Sequence, residues 1–202
     1  MIDTKLNTVV ETVGIGLGGP YEIAMNASGS QIFAGADTDM TLSTIDTATR
    51  ATAALFPSLS EIRGMALDAT NIYLTRFTFS VVEVAAQSGS TIMNFTGSME
   101  SGASGIAIDA TNAYWTDYNS GFIRTQPLSG GGALTLTSSE SHPRSIAVTA
   151  DYVYWTQNNA DGALRMISKG GGTPLLLAQT LYTPTGVAAD DDFVVRWGLH
   201  FP

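Results

Sequence analysis

The sequence has no cysteine, only nine basic residues and only two histidines among its 202 positions. Without cysteine there is no disulfide framework and no thiolate metal centre. Nine Lys and Arg against eighteen Asp and Glu leave a net charge of -9. A nucleic-acid surface needs clustered cations to neutralise phosphates, so nucleic acid is not an expected partner. Anionic membrane surfaces are set aside for the same reason. Long apolar runs are missing too. No stretch approaches the roughly 18–20 residues of a membrane helix, so no membrane insertion is expected. Met1 to Val13 lacks the basic-then-apolar layout of a secretory leader. Charged residues total 13%, whereas hydrophobic residues make up 44% and glycine alone supplies 21 positions. That balance belongs to an all-β chain with a sizeable core and many turns. The acidity is read as serving solubility.

What the chain does have is a repeat. The segments around Ala24, Ala66, Ala107, Ala147 and Ala188 each place a small residue at the centre of a short apolar run. The intervals between these alanines are 42, 41, 40 and 41 residues. A period of roughly 41 fits a β-propeller blade of four short strands. In the third copy, Gly105 to Asp109 reads as the innermost strand and Asp109-Ala110-Thr111-Asn112 as a turn. Ala113 to Thr116 is aromatic and β-prone, Phe122 to Leu128 is a third strand, and Ala133 to Thr137 is a fourth. The other copies follow the same plan. The fold expected is therefore all-β, about five four-stranded blades in a single domain over residues 1–202. The fifth copy is short of outer strands. Lys5 to Val13 is expected to supply one and close the last blade; a fragment of a larger propeller is the alternative.

Tyr114-Trp115-Thr116-Asp117 reproduces the YWTD repeat in full, Tyr154-Trp155-Thr156-Gln157 in three places of four, and Tyr73-Leu74-Thr75-Arg76 in two. With the apolar strand ending in Asp and the Gly-Gly turn before the last strand, the chain resembles bacterial propellers of the YWTD, NHL and TolB-like group. The resemblance spans about Tyr21 to Val195. It implies structural roles for the Tyr-Trp residues and for Asp68, Asp109 and Asp190. It also implies an exported protein, secreted, periplasmic or at the cell surface. Receptor propellers of the YWTD type have six blades, and five anchors are present here.

In such a blade, the loop before the first strand and the loop between strands two and three share one face. Loop residues that differ between copies are the site candidates. Ahead of the first strands stand Tyr21 and Glu22, Glu61 and Arg63, Ser104, His142 and Arg144, then Thr183 and Thr185. The second set holds Asp37 and Asp39, Arg76 and Phe77, Asp117, Tyr118 and Asn119, then Gln157, Asn158 and Asp161. Carboxylates, guanidiniums, amides and aromatics together suit a protein segment, a glycan or a small polar ligand. Ordinary solvated loops are the competing reading.

A non-enzymatic binding or scaffold propeller is the function expected, with no cofactor; calcium is the one metal considered. The alternative is a lactonase- or streptogramin-lyase-like enzyme using His142, Glu61 and Arg144. His200 sits in an irregular tail. Asp190-Asp191-Asp192 falls in a strand-to-strand turn, and Asp37-Thr38-Asp39 lacks the remaining ligands of a calcium loop. Gly130-Gly131-Gly132 and Gly170-Gly171-Gly172 read as hairpin turns, since no helix follows a strand there.

Overall fold

The computed structural model describes residues 2–3, 8–9, 18–36, 40–59, 61–96 and 102–198. Among them every regular element is a strand. They fall into two compact units, Met1–Ser60 and Glu61–Pro202.

The first unit holds a short pair, β1 (Ile2–Asp3) with β2 (Thr8–Val9), and one antiparallel sheet of four strands. Sheet 1 runs β3 (Pro20–Met25), β4 (Gln31–Ala36), β5 (Thr41–Asp46) and β6 (Thr52–Phe56), in chain order. Phe33, Ala36 and Leu42 are fully buried. The turn after β5 is held by Asp46, whose carboxylate accepts the Ala48 and Thr49 amides at 3.0 and 2.7 Å.

The second unit repeats that meander. Sheet 2 is β7 (Ile62–Leu67), β8 (Asn71–Arg76), β9 (Val81–Ala86) and β10 (Ile92–Asn94). Sheet 3 is β11 (Ala103–Ile108), β12 (Asn112–Asp117), β13 (Phe122–Pro127) and β14 (Leu134–Thr137). Sheet 4 is β15 (Pro143–Val148), β16 (Tyr152–Gln157), β17 (Ala163–Ser168) and β18 (Leu175–Ala178). Sheet 5 has two strands among the described residues, β19 (Pro184–Ala189) and β20 (Val194–Gly198). The expected closing strand is not found there. Thr8–Val9 pairs with Ile2–Asp3 in its own small sheet, and the rest of Lys5–Val13 lies outside the described residues. A local hairpin closes a far shorter loop than a pairing across most of the chain, so it costs less entropy.

Sheets 2 to 5 stack by one rule. Ala66 and Tyr73 of sheet 2 pack against Ile106, Ile108 and Trp115 of sheet 3. Ala107 and Tyr114 then pack against Ile146, Val148 and Trp155 of sheet 4. Ala147 and Tyr154 pack against Val187, Ala189 and Val194 of sheet 5. Trp115 and Trp155 are fully buried in these layers, and each large ring removed from water contributes on the order of 2–3 kcal/mol.

The repeated motif has a physical reading. Its Tyr hydroxyl donates to the turn aspartate, Tyr73 to Asp68 and Tyr114 to Asp109, both at 2.9 Å. The other oxygen of each aspartate accepts two turn amides, those of Thr70 and Asn71 or of Thr111 and Asn112. Its Thr is a latch between sheets. Thr75 donates to the Ser104 carbonyl, and Thr116 donates to the Arg144 carbonyl at 2.7 Å while accepting the Gly105 amide at 2.8 Å. The sheets approach closely at this point. A Cβ at Gly64 would lie 2.5 Å from the Ser104 carbonyl oxygen, and one at Gly105 would overlap that of Arg144. Sheet 4 carries Ser145 at the same position, and its hydroxyl accepts the Val187 amide of sheet 5 at 3.1 Å.

Candidate functional site

The residue five before each anchor alanine takes a left-handed backbone. It is Gly19 (φ 64), Glu61 (φ 58), Gly102 (φ 99), His142 (φ 48) and Thr183 (φ 43). The turn recurs in every copy, so strain at His142 belongs to the repeat. In sheets 2, 3 and 4 the carbonyl of this residue accepts the first amide of the loop between strands two and three. The donors are Phe77 to Glu61 at 3.2 Å, Tyr118 to Gly102 at 2.9 Å and Asn158 to His142 at 2.9 Å. The two loops of each sheet are thereby tied together on one face.

On that face the divergent side chains of the second unit form a row. The Arg63 guanidinium lies 5.6 Å from the centroid of the Phe77 ring. Phe77 meets Tyr118 of sheet 3 edge-on at 5.9 Å. Tyr118 meets His142 of sheet 4 at 4.9 Å, tilted by 52°. Arg63, Phe77 and Tyr118 are half-buried, and His142 is exposed. Three sheets thus present one continuous strip of aromatic and cationic surface. The chain brings together residues 79 positions apart, Arg63 and His142, through loops that the sequence pattern marks only as variable.

The remaining candidates divide. The Asn119 side chain lies against Gly102, beside Tyr118. Asn158 donates to the Pro184 carbonyl at 3.2 Å, and Asn159 to the Ser141 hydroxyl at 2.8 Å. Ser104 is buried, and Arg144 is half-buried in β15. Glu61 accepts the Thr78 amide at 2.9 Å. Hydrogen bonds from Thr78 prevail over burial, and together with the charges of Arg63 and Arg76 they hold the Glu61 carboxyl below its ordinary range. Tyr21 and Glu22 stand in β3 of the first unit, Tyr21 exposed and Glu22 half-buried. Asp37, Asp39 and His200 lie outside the described residues.

Asp117 and Gln157 are inside the sheets. Asp117 is fully buried, 3.9 Å from the Arg124 guanidinium. Sheet 2 carries the same diagonal pair with its charges exchanged, Arg76 with Glu83 at 3.2 Å. In sheet 4 the position is the neutral Gln157, whose amide donates to Glu140 at 2.8 Å. Glu140 escapes sequence reasoning. It is buried, accepts the Trp155 indole N–H at 3.1 Å, and stands 3.4 Å from Arg165. Its only local signal is its place two residues before His142, because the lead-in loops have no common pattern. Asp190 and Asp191 accept backbone amides, Phe193 at 2.6 Å and Ala150 at 3.0 Å respectively. Among the described residues no three His, Asp or Glu side chains converge as metal ligands.

No protein-family model matches the chain, and no curated protein matches it in sequence. Solved structures are. A chain of the nidogen/laminin complex superposes with a TM-score of 0.78 at 18% identity, covering 88% of this chain and 71% of that one. Virginiamycin B lyase from Staphylococcus aureus gives 0.74 at 16% identity, covering 89% and 63%. A streptogramin B lyase gives 0.75 at 15% identity, covering 89% and 62%. The chain therefore spans less than two thirds of the two lyase chains. At such identities the likeness is one of fold, and the antiparallel four-stranded repeats agree with it: this chain is a β-propeller.

Proposed function

We propose that this chain is a binding propeller and that its ligand seats on the strip Arg63–Phe77–Tyr118–His142. The carrying observation is that strip, four side chains from three sheets in consecutive contact on the face where loops are free to vary. Aromatic faces with a nearby cation suit a ligand with a flat apolar side and an attached acceptor, as in a sugar ring or an aromatic or proline residue of a partner segment. Asn119 and Ser141 border the strip and offer hydrogen bonds. The motif roles of Tyr73, Tyr114, Thr75 and Thr116 support placing the chain in the YWTD, NHL and TolB-like group, in which export to the periplasm or cell surface is the expected setting.

The test is a binding screen of the purified chain on glycan and peptide arrays, repeated with Tyr118→Ala and Phe77→Ala. Loss of a ligand in both variants, with unfolding midpoints kept within a few degrees, supports the strip. Equal binding by both variants removes it. If wild type instead opens a lactone ester, and His142→Ala does not, the lyase-like alternative replaces the binding reading.

A further inference from the structure

The strip begins at Arg63, and Arg63 also belongs to a second row. The first strands of sheets 2, 3 and 4 meet at one register. A Cβ on Gly64 of β7 would lie 2.9 Å from the Ile106 amide nitrogen of β11, and one on Gly105 of β11 would lie 3.1 Å from the Ser145 Cα of β15. The residue just before each contact point is the second of its strand: Arg63 in β7, Ser104 in β11 and Arg144 in β15. These three stand in a row across adjacent strands, two guanidinium side chains with a serine between them. Ser104 is buried, and both arginines are half-buried. The chain has nine basic residues, and two of them share this place in the repeat. Like charges held close repel, and partial burial weakens the screening between them. An anion set between them turns that repulsion into two attractions. Each guanidinium presents a planar fork of N–H donors that matches the two oxygens of a carboxylate. The Glu61 carboxylate, which feels the charge of Arg63, is itself held by the Thr78 amide at 2.9 Å.

The two rows run together. At one end the Arg63 guanidinium lies 5.6 Å from the Phe77 ring centroid. At the other, Arg144 follows two residues after His142, whose ring meets Tyr118 at 4.9 Å. Cations therefore flank the Phe77 and Tyr118 rings on both sides. We infer that the ligand of the strip is an acidic saccharide, and that Arg63 and Arg144 take the carboxylate of a uronic acid residue across Ser104. The inference rests on the strip as the binding seat and adds the charge of what binds there. A sugar acid is favoured over an acidic peptide by the mixture of groups present. Flat ring surfaces stand beside separate hydroxyl and amide groups, those of Ser141 and Asn119, which suit the hydroxyls of a sugar ring. An extended peptide would be held chiefly through its main chain along a free strand edge, and β7, β11 and β15 meet one another here instead.

The test is an array of uronate oligomers, their methyl esters and neutral oligomers of matching length, probed with the full chain and followed by calorimetry on the tightest uronate. Binding is expected to be confined to the uronates. Esterification keeps the rings and removes the charge, and it is expected to weaken binding roughly ten- to a hundredfold. That comparison is made on the wild type and needs no variant to fold. Arg63→Gln and Arg144→Gln are each expected to lose affinity for the uronate on the same scale and to leave the weak binding of the ester unchanged. Arg144→Lys, which keeps the charge without the fork, is expected to recover only part of the loss. The latch from Thr116 reaches the Arg144 backbone carbonyl, so these substitutions leave it in place, and unfolding midpoints check that they do. Equal binding of acids and esters, abolished by Phe77→Ala, keeps the strip and overturns the carboxylate seat. So does uronate binding that both glutamine variants leave unchanged. A wild type that binds nothing on the array overturns the inference, and a peptide that is bound and then lost in Phe77→Ala would keep the strip with a different ligand.

Discussion

A methyl group added at position 64 has no space to occupy. Its carbon would stand 2.5 Å from the Ser104 carbonyl oxygen, 2.9 Å from the Ile106 amide nitrogen and 2.9 Å from the Thr75 hydroxyl. Two of these are backbone atoms of the next sheet, so no rotamer change relieves them. Gly64→Ala must push sheets 2 and 3 apart and loosen the bond from Thr75 to Ser104. Overpacking of this kind costs about 1–3 kcal/mol. At roughly 2–4 °C per kcal/mol for a chain of this size, the unfolding midpoint falls by about 2–12 °C. Gly132→Ala is the matched control, because nothing lies within 4 Å of a Cβ there. Thermal unfolding followed by circular dichroism measures both. Equal midpoints for Gly64→Ala and Gly132→Ala would refute the claim that the sheets stack through glycine contacts.

Thr116→Val keeps the shape but leaves the Arg144 carbonyl and Gly105 amide without the hydroxyl; a loss of about 1–3 kcal/mol is expected in urea unfolding. Thr183→Gly is expected to stabilise by about 0.5–1 kcal/mol, since a β-branched residue at φ 43 is strained where glycine is not; a lower midpoint would contradict the repeated left-handed turn. Burial alone would raise the Asp109 carboxyl, but the Lys169 ammonium, the Thr111 and Asn112 amides and the Tyr114 hydroxyl outweigh it and hold it well below the ordinary range. A depressed carboxyl contributes stability above its unfolded value and loses it as the pH falls. The stability gap between wild type and Lys169→Met should therefore be full at neutral pH and shrink progressively as the pH falls below about 4; a gap that stays constant from neutral pH down through this acid range would assign it to packing of Lys169 on Tyr114. Calcium added after EDTA should move the midpoint by less than about 1 °C, because Asp68, Asp109, Asp190 and Asp191 are engaged by backbone amides.

The repeat, the strand order and the turn aspartates were legible in the sequence because they obey short-range rules. Alternation, turn chemistry and a 41-residue period act within one copy, and Tyr114 needs only its own turn to reach Asp109. Asp117 and Gln157 read as loop candidates because their neighbours are polar, yet they close β12 and β16 and are buried. Their partners Arg124 and Glu140 are set by sheet pairing and by a lead-in loop. Five copies were legible as well, and so was the shortage of outer strands in the fifth, but the pairing of Thr8–Val9 with Ile2–Asp3 was not. The strip from Arg63 to His142 likewise needs three sheets held at stacking distance, and that distance is decided by Gly64, Gly105 and the latch threonines. Sequence alone determined what each copy folds into, because those forces are local. Only the tertiary structure decided which loops meet, because that depends on how one copy packs on the next.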